Sequence, residues 1–440
     1  MTGSGGLAWR LRLSAARYRF KESLFLLPAL VMLGGVLLAV GATVIDNRLG
    51  HNAEIPWTLA MSSNAATWLV STVAGAMITT VGVVFSLTVV SLQLASNQFS
   101  PRVMRSFIRD RLSQGVIGLL VGTFFYCVLI LPSFSGEATA PAPRISLTIA
   151  IGLTLVTVVG IIVHLDHLAR GLQVGNLARS IADEGQVVAA RLGRLPAGLS
   201  TVDPEDFPAP ADAIVIPAGR SGWVSQVHMG RLLGAVSPGT VLRLETRVGA
   251  YIHQGEPLFT AWPPPSRTQK IAGAVAISEM RTMLQDADFA IRQLVDIGLR
   301  ALSSAINDPT TAVEVLLRLG TVLRTVLTSP LAPPALRDDA GRVLVQPWNL
   351  DHDEYVEHAF DQLRQASLNQ TEVVAALLRV LRMLITHVNE EGHPERAGAL
   401  EQQMRLLLEA AGDQTDLLPE DLQRIESLAS DDTDPADHSL

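Results

Sequence analysis

LFLLPALVMLGGVLLAVGATVI, residues 24–45, contains no Asp, Glu, Lys or Arg. An α-helix needs about 20 apolar residues to cross roughly 30 Å of hydrocarbon, and this run supplies them. Three more runs of the same kind follow, at 65–94, 115–134 and 145–164, each again free of charge. A charge at mid-membrane costs about 2.5–3.5 kcal/mol on insertion scales, so their joint absence is the physical signature of spanning. Residues 165–440 hold no comparable run. The chain therefore reads as a four-span membrane domain, 24–164, joined to a large soluble part.

The arginines set the expected orientation. Arg10, Arg12, Arg17, Arg19 and Lys21 precede the first span, Arg102, Arg105, Arg109 and Arg111 separate the second from the third, and Arg170 and Arg179 follow the fourth. The other two connections carry Arg48 and Arg144 alone. By the positive-inside rule both termini are cytoplasmic, with 1–23 a basic cytoplasmic segment. The first span is expected to stay in the membrane, because Asp46 and Arg48 follow it in place of a small-residue cleavage site.

Composition narrows the function classes. A net charge of −8 argues against a nucleic-acid partner, whose footprint would be a basic face. The single cysteine, Cys127, lies in the third span and can form no intrachain disulfide. Lys21 and Lys270 are the only lysines, which excludes several lysine-dependent chemistries. No phosphate-binding loop with its lysine, no His-Glu-x-x-His and no paired-cysteine zinc site occurs. The chain is accordingly read as a non-enzyme without cofactor or resident metal.

Within the second span Thr72, Gly75, Thr79, Gly82, Ser86 and Gln93 recur at offsets of three, four and seven, which collects small and hydroxyl side chains on one helical face. Close helix packing explains such a face, and so does a hydrated path through an oligomer. Past the membrane, 165–211 reads as a helical connector, amphipathic over 165–200. Residues 212–263 read as a small β-barrel-like module, with short β-branched runs set off by Gly, Pro and Ser. Its stretch Arg247-Val248-Gly249-Ala250-Tyr251-Ile252-His253-Gln254-Gly255-Glu256-Pro257-Leu258 resembles the half-motif of lipoyl- and biotinyl-type domains. The segment has no lysine to carry a cofactor.

From Ala274 to residue 429 the period is helical, giving an α-helical cytoplasmic domain. A helix over 281–300 places Asp288, Arg292, Asp296 and Arg300 in one charged stripe at i,i+4 spacing. Asn307 and Asp308 precede Pro309, where Asp308 is placed to cap the next helix. The stripe and the turn together form a candidate interface or ligand site. Residues 331–348, with Pro333, Pro334 and Pro347, read as a loop, and helices resume at 352–368, 371–390, 393–412 and 419–429. The acidic tail 430–440 lacks aromatics and is expected to be disordered. Two His/carboxylate clusters are the remaining metal candidates: His164, Asp166 and His167, and Asp351 to His358 with Glu354 one turn before His358. Span ends and helix caps account for both.

Gln285-Asp286, Phe289, Ile291-Arg292-Gln293-Leu294-Val295-Asp296-Ile297, Arg300-Ala301-Leu302-Ser303 and Ala305-Ile306-Asn307-Asp308-Pro309 resemble the signature of a bacterial family of predicted membrane proteins, domain of unknown function 2254. Phe99-Ser100-Pro101-Arg102, Phe107 to Arg111 and Ala359 to Gln365 are similar to its other blocks. The resemblance implies an architecture of four spans, β segment and helices, and no established activity. It also implies the cytoplasmic (inner) membrane of a bacterium as the location. The functional reading at this point is an oligomeric channel or transporter-like pore with a cytoplasmic regulatory assembly. The alternative is a membrane-anchored scaffold or sensor binding a cytoplasmic protein or small ligand. Expected partners are the lipid bilayer and further copies of the chain.

Cysteine accessibility tests the topology. In a Cys127→Ser background, Asn52→Cys should react with a membrane-impermeant thiol reagent applied from outside, and Asp206→Cys should not. The reverse labelling pattern contradicts cytoplasmic termini.

Overall fold

A computed structural model describes residues 26–49, 58–98, 111–134, 141–171, 173–414 and 418–429. The basic segment 1–23, the arginines at 102, 105 and 109, and the acidic tail 430–440 lie outside these residues. The chain divides into two compact units, one up to Gln173 and one from Val174 onward.

The first unit consists of α1 (Leu26–Leu49), α2 (Ser63–Gln98), α3 (Arg111–Ile130), which ends in a 3₁₀ turn at Leu131–Phe134, and α4 (Arg144–Gly171). All four are long and apolar enough to cross a membrane. Glycine permits the approach of α1 to α3: a Cβ on Gly118 would stand 2.8 Å from the Cα of Pro28, and one on Gly35 would stand 2.6 Å from the carbonyl oxygen of Gly122. Without a hydrophobic driving force between helices in lipid, such close backbone contact supplies the packing. Asp46, in the last turn of α1, is buried and accepts from Ile145 N–H at 3.1 Å, Ser146 N–H at 2.8 Å and Ser146 Oγ at 2.6 Å. It thereby satisfies donors that the first turn of α4 cannot pair internally.

The second unit begins with α5 (Val174–Ala189), an amphipathic helix that packs its Leu177, Ile181 and Gly185 face on α8 (Ala287–Ala301) and α9 (Pro309–Thr328). Its strands are β1 (Leu199–Thr201), β2 (Ile214–Pro217), β3 (Gly222–Val227), β4 (Val241–Leu244), β5 (Tyr251–Ile252), β6 (Pro257–Trp262), β7 (Val275–Ser278), β8 (Ala335–Asp338) and β9 (Val343–Val345). Short helices α6 (Met229–Leu233) and α7 (Thr268–Ala272) lie between them. One sheet runs β1-β8-β9-β4-β6-β2 and the other β5-β3-β7. Ile216, Val224, Leu242, Phe259, Ile277 and Leu344 come from both sheets and share one core. The described residues end in α10 (His352–Ser367), α11 (Thr371–Glu390), α12 (Gly398–Gly412) and α13 (Pro419–Ala429).

Three expectations are corrected. The β region is not confined to 212–263 and closes no barrel among the described residues, because β1, β7, β8 and β9 join from outside that range. Residues 331–348 are not a loop. Their prolines flank a hairpin whose second strand, Val343-Leu344-Val345, is wholly buried and pairs in parallel with β4. Asp338 holds the turn by accepting from the N–H groups of Ala340 and Arg342 at 3.0 and 2.9 Å. Finally, the helix expected over 281–300 begins at Ala287, and Val275–Ser278 is a strand. The helices expected at 352–368, 371–390 and 419–429 fall within a residue of those positions, while α12 begins at Gly398 after a 3₁₀ turn at Pro394–Arg396.

Candidate functional site

α8 starts where it does because Asp286 occupies its N-cap and accepts the Phe289 N–H at 3.2 Å. A carboxylate there satisfies an orphan donor and meets the positive end of the helix dipole. Arg281, in the irregular segment ahead of the helix, folds back onto it. Its Nε lies 2.6 Å from Asp286 Oδ2, and its Nη2 lies 3.0 Å from Asp286 Oδ1 and 2.6 Å from Asp288 Oδ2. One planar guanidinium thus bridges two carboxylates, the geometry its fork of donors favours. From α10, His358 Nδ1 stands 2.7 Å from Asp288 Oδ1, and Arg292 Nε reaches the same oxygen at 3.8 Å. Phe289 and Trp223 cover the guanidinium, with centroids at 5.4 and 5.8 Å.

The sheet closes the cluster from the other side. Gly249 sits at φ +85°, and a Cβ there would collide with the Asp286 carboxylate and stand 2.7 Å from Arg281 Nη2. Only glycine meets both constraints. Asp286 and Asp288 are 4% and 1% exposed, so their charges must be matched inside the protein. Burial pushes the Asp288 carboxyl up, but the bonds from His358 and Arg281 outweigh it and hold the group far below the usual carboxylate range. Burial wins at Asp286, whose carboxyl is raised despite Arg281. Burial works against the charge on Arg281, and the two carboxylates more than restore it. Tyr355, also on α10, is buried, and this together with Asp286 and Asp288 raises its phenol, which stays a neutral donor.

Asp286 and Tyr355 also line a cavity of ≈ 380 Å³. Its remaining walls come from the end of α5 and the segment after it, from β3 and Met229, from the Arg247–Val248 turn, from Leu284 and Gln285, from Leu331–Pro333 with Leu336, and from the stretch Gln346–Leu350. The charged cluster therefore backs a concave site built from distant parts of the chain.

The sequence-derived candidates separate in space and role. Asp288 is the centre of the cluster and Arg292 its edge, while Asp296 and Arg300 are half-buried farther along α8. Asn307, exposed at φ +49°, accepts from Gln370 Nε2 at 2.9 Å, and Asp308 caps α9 through the N–H and Oγ1 of Thr311 at 3.0 and 2.5 Å. Asp351 and Glu354 form a capping box at the start of α10, leaving His358 to Asp288. His164 Nδ1 lies 3.3 Å from Ser113 Oγ, and Asp166 pairs with Arg170 at 3.0 Å. In α2 the face Thr72, Gly75, Thr79, Gly82, Ser86 and Gln93 is exposed, whereas Ala66, Val70, Ala74, Met77 and Val84 are buried. The hydroxyls of Thr72 and Thr79 donate to their own helix, to Trp68 and Gly75 carbonyls at 2.7 and 2.9 Å. Sequence reasoning missed the bridging role of Arg281 and the cavity. The Asp286-x-x-Phe289 cap was a usable signal for the first.

The four apolar helices agree with one comparison. The chain belongs to the predicted membrane protein family DUF2254. The family model matches residues 21–383. Uncharacterized proteins of Mycobacterium bovis and Mycobacterium tuberculosis strain H37Rv are each 34% identical over 355 residues, 77% of this chain and 67% of theirs. No solved structure matches.

Removing Asp288 should be costly in a way that removing Asp308 is not. Asp288→Ala leaves Arg281 buried with one partner fewer and should cost about 3–5 kcal/mol; Asp308→Ala loses only a cap, about 0.5–2 kcal/mol. Because the Asp288 carboxyl is depressed on folding, its stabilisation is complete above the ordinary value of about 4 and disappears as the pH falls through the folded value. The acid limb of stability should therefore be shallower in Asp288→Asn. Urea denaturation of the full chain in detergent across the acid range measures both effects. Equal, small losses at the two positions contradict the cluster's importance.

Proposed function

We propose that this integral membrane protein is a membrane-anchored sensor whose soluble unit binds a small ligand in the ≈ 380 Å³ cavity. The cavity itself carries the reading. Its size falls in the ordinary range for small-molecule sites, about 300–1,000 Å³. It is lined by α5 and its continuation, by a sheet turn and by α10, so a ligand there touches elements that meet only in the folded unit. α5 follows the fourth apolar helix after two residues, Leu172 and Gln173, which gives ligand occupancy a short covalent route toward the membrane. Such a ligand shifts the protein only by the difference in its affinity for two arrangements.

An oligomeric pore is the second reading, and one observation favours it. A Cβ added to Gly75 or Gly82 would meet nothing within 4 Å, so the small face of α2 is left open to lipid or to another copy. Self-satisfied hydroxyls along that face suit either surrounding.

Native mass spectrometry of the protein from its own membranes separates the readings when combined with a cavity-filling change. Wild type should carry a small molecule of reproducible mass, and Ala332→Phe, which fills a lining position, should lack it while melting normally. No retained molecule in wild type, together with ion flux in liposomes that Thr79→Leu abolishes, would favour the pore.

A further inference from the structure

The cavity is basic where the chain is acidic. Acids outnumber bases 42 to 34 over the whole sequence, yet three arginines, Arg191, Arg194 and Arg247, line this one cavity against a single acid. That acid, Asp286, is already held by Arg281 at 2.6 Å. Among the described residues no carboxylate stands within ion-pair distance of Arg191, Arg194 or Arg247, and the side-chain bond of Arg247 is a long one, Nη1 to the Val248 carbonyl at 3.4 Å. Arg191 and Arg194 are exposed and Arg247 is half-buried, so charge is present from the rim inward. Arginine-rich composition alone does not bring three guanidiniums from residues 191–247, none of them in an ion pair among the described residues, to one concavity.

The uncharged lining points the same way. Asn349 Nδ2 is a buried donor with no hydrogen-bond partner, the kind of orphan that native interiors rarely leave unexplained. Tyr355, buried and kept protonated, is a donor as well. Guanidinium forks pair bidentately with planar or tetrahedral oxyanions, and several of them around one site select a ligand carrying more than one negative group.

Resting on the ligand-binding reading above, we infer that the cavity binds a small soluble polyanion bearing phosphoryl or carboxylate groups, held by Arg191, Arg194 and Arg247 with Asn349 as a neutral donor. The α8 cluster then has a second role. By pairing Asp286 with Arg281, it leaves the only acid of the lining acting on Arg247 through its charge alone, with no ion pair between them.

Isothermal titration calorimetry on the full chain in phosphatidylcholine nanodiscs, with inorganic pyrophosphate and with citrate as probes, tests this. At least one probe should bind saturably at one site per chain, and binding should weaken as salt rises. Arg191→Gln, Arg194→Gln and Arg247→Gln should each weaken it about tenfold, the size of one lost charge-assisted contact. Arg318→Gln, on α9 outside the cavity, should leave it unchanged. The two rim variants keep the test open should Arg247→Gln fold poorly. A phosphoryl site favours pyrophosphate and a carboxylate site citrate. No saturable heat from either probe, or binding that all three variants leave intact, overturns the inference. If Ala332→Phe still loses a retained molecule in the mass spectrum, that failure belongs to the polyanion assignment and not to the sensor reading.

Discussion

Two carboxylates and one guanidinium enclosed by a protein interior cannot be left to solvent, and the second unit is arranged around that requirement. Asp286 caps α8 while Asp288, two residues on, reaches His358 of α10, and Arg281 holds both from the strand side. The backbone at Gly249 closes over them with no room for a side chain. Sheet, α8 and α10 are thus held to one relative placement, since sliding any of the three strands a buried charge. A buried ion cluster adds little net stability over apolar packing of the same volume, and its value lies in fixing register. That placement also forms one wall of the cavity, so the geometry of the proposed site follows from the cluster.

The membrane unit meets a related constraint by other means. In hydrocarbon each backbone donor must be satisfied within the protein, and Asp46 does so for the first turn of α4 from a helix about a hundred residues earlier. Tyr126 and the Thr123–Thr157 pair join α3 to α4 through hydrogen bonds of 3.0 and 2.9 Å. Polar side chains in these helices tie α1, α3 and α4 together, whereas Thr72 and Thr79 on the open face of α2 donate to their own backbone.

The four apolar helices were legible because a charge-free run of that length has one physical meaning. Caps were legible too: Asp308 before Pro309 and Asp351 before Glu354 act as their spacing implies. Pairing between distant segments was not. Val343-Leu344-Val345 is three residues long and hemmed by prolines, and nothing local distinguishes a strand that fills a vacancy beside β4 from a loop. The charged stripe on α8 was visible as a period, but periodicity gives a helix face and not its surroundings. It grouped Asp288 with Arg292, whereas the short bonds of Asp288 run to Arg281, outside the helix, and to His358, seventy residues away. The cavity was illegible for the same reason, since Arg191, Arg247 and Asn349 converge only through tertiary structure.

The central claim is that the Arg281 cluster makes the sheets and helices of the second unit one cooperative body. Native-state hydrogen exchange on the full chain in detergent reads this directly, through the amides of β3 and of α8. The account predicts that both segments open with a common free energy in the wild type, and that Asp288→Asn lowers both together. Exchange in β3 at a free energy of its own, unmoved by Asp288→Asn while α8 falls, would contradict it.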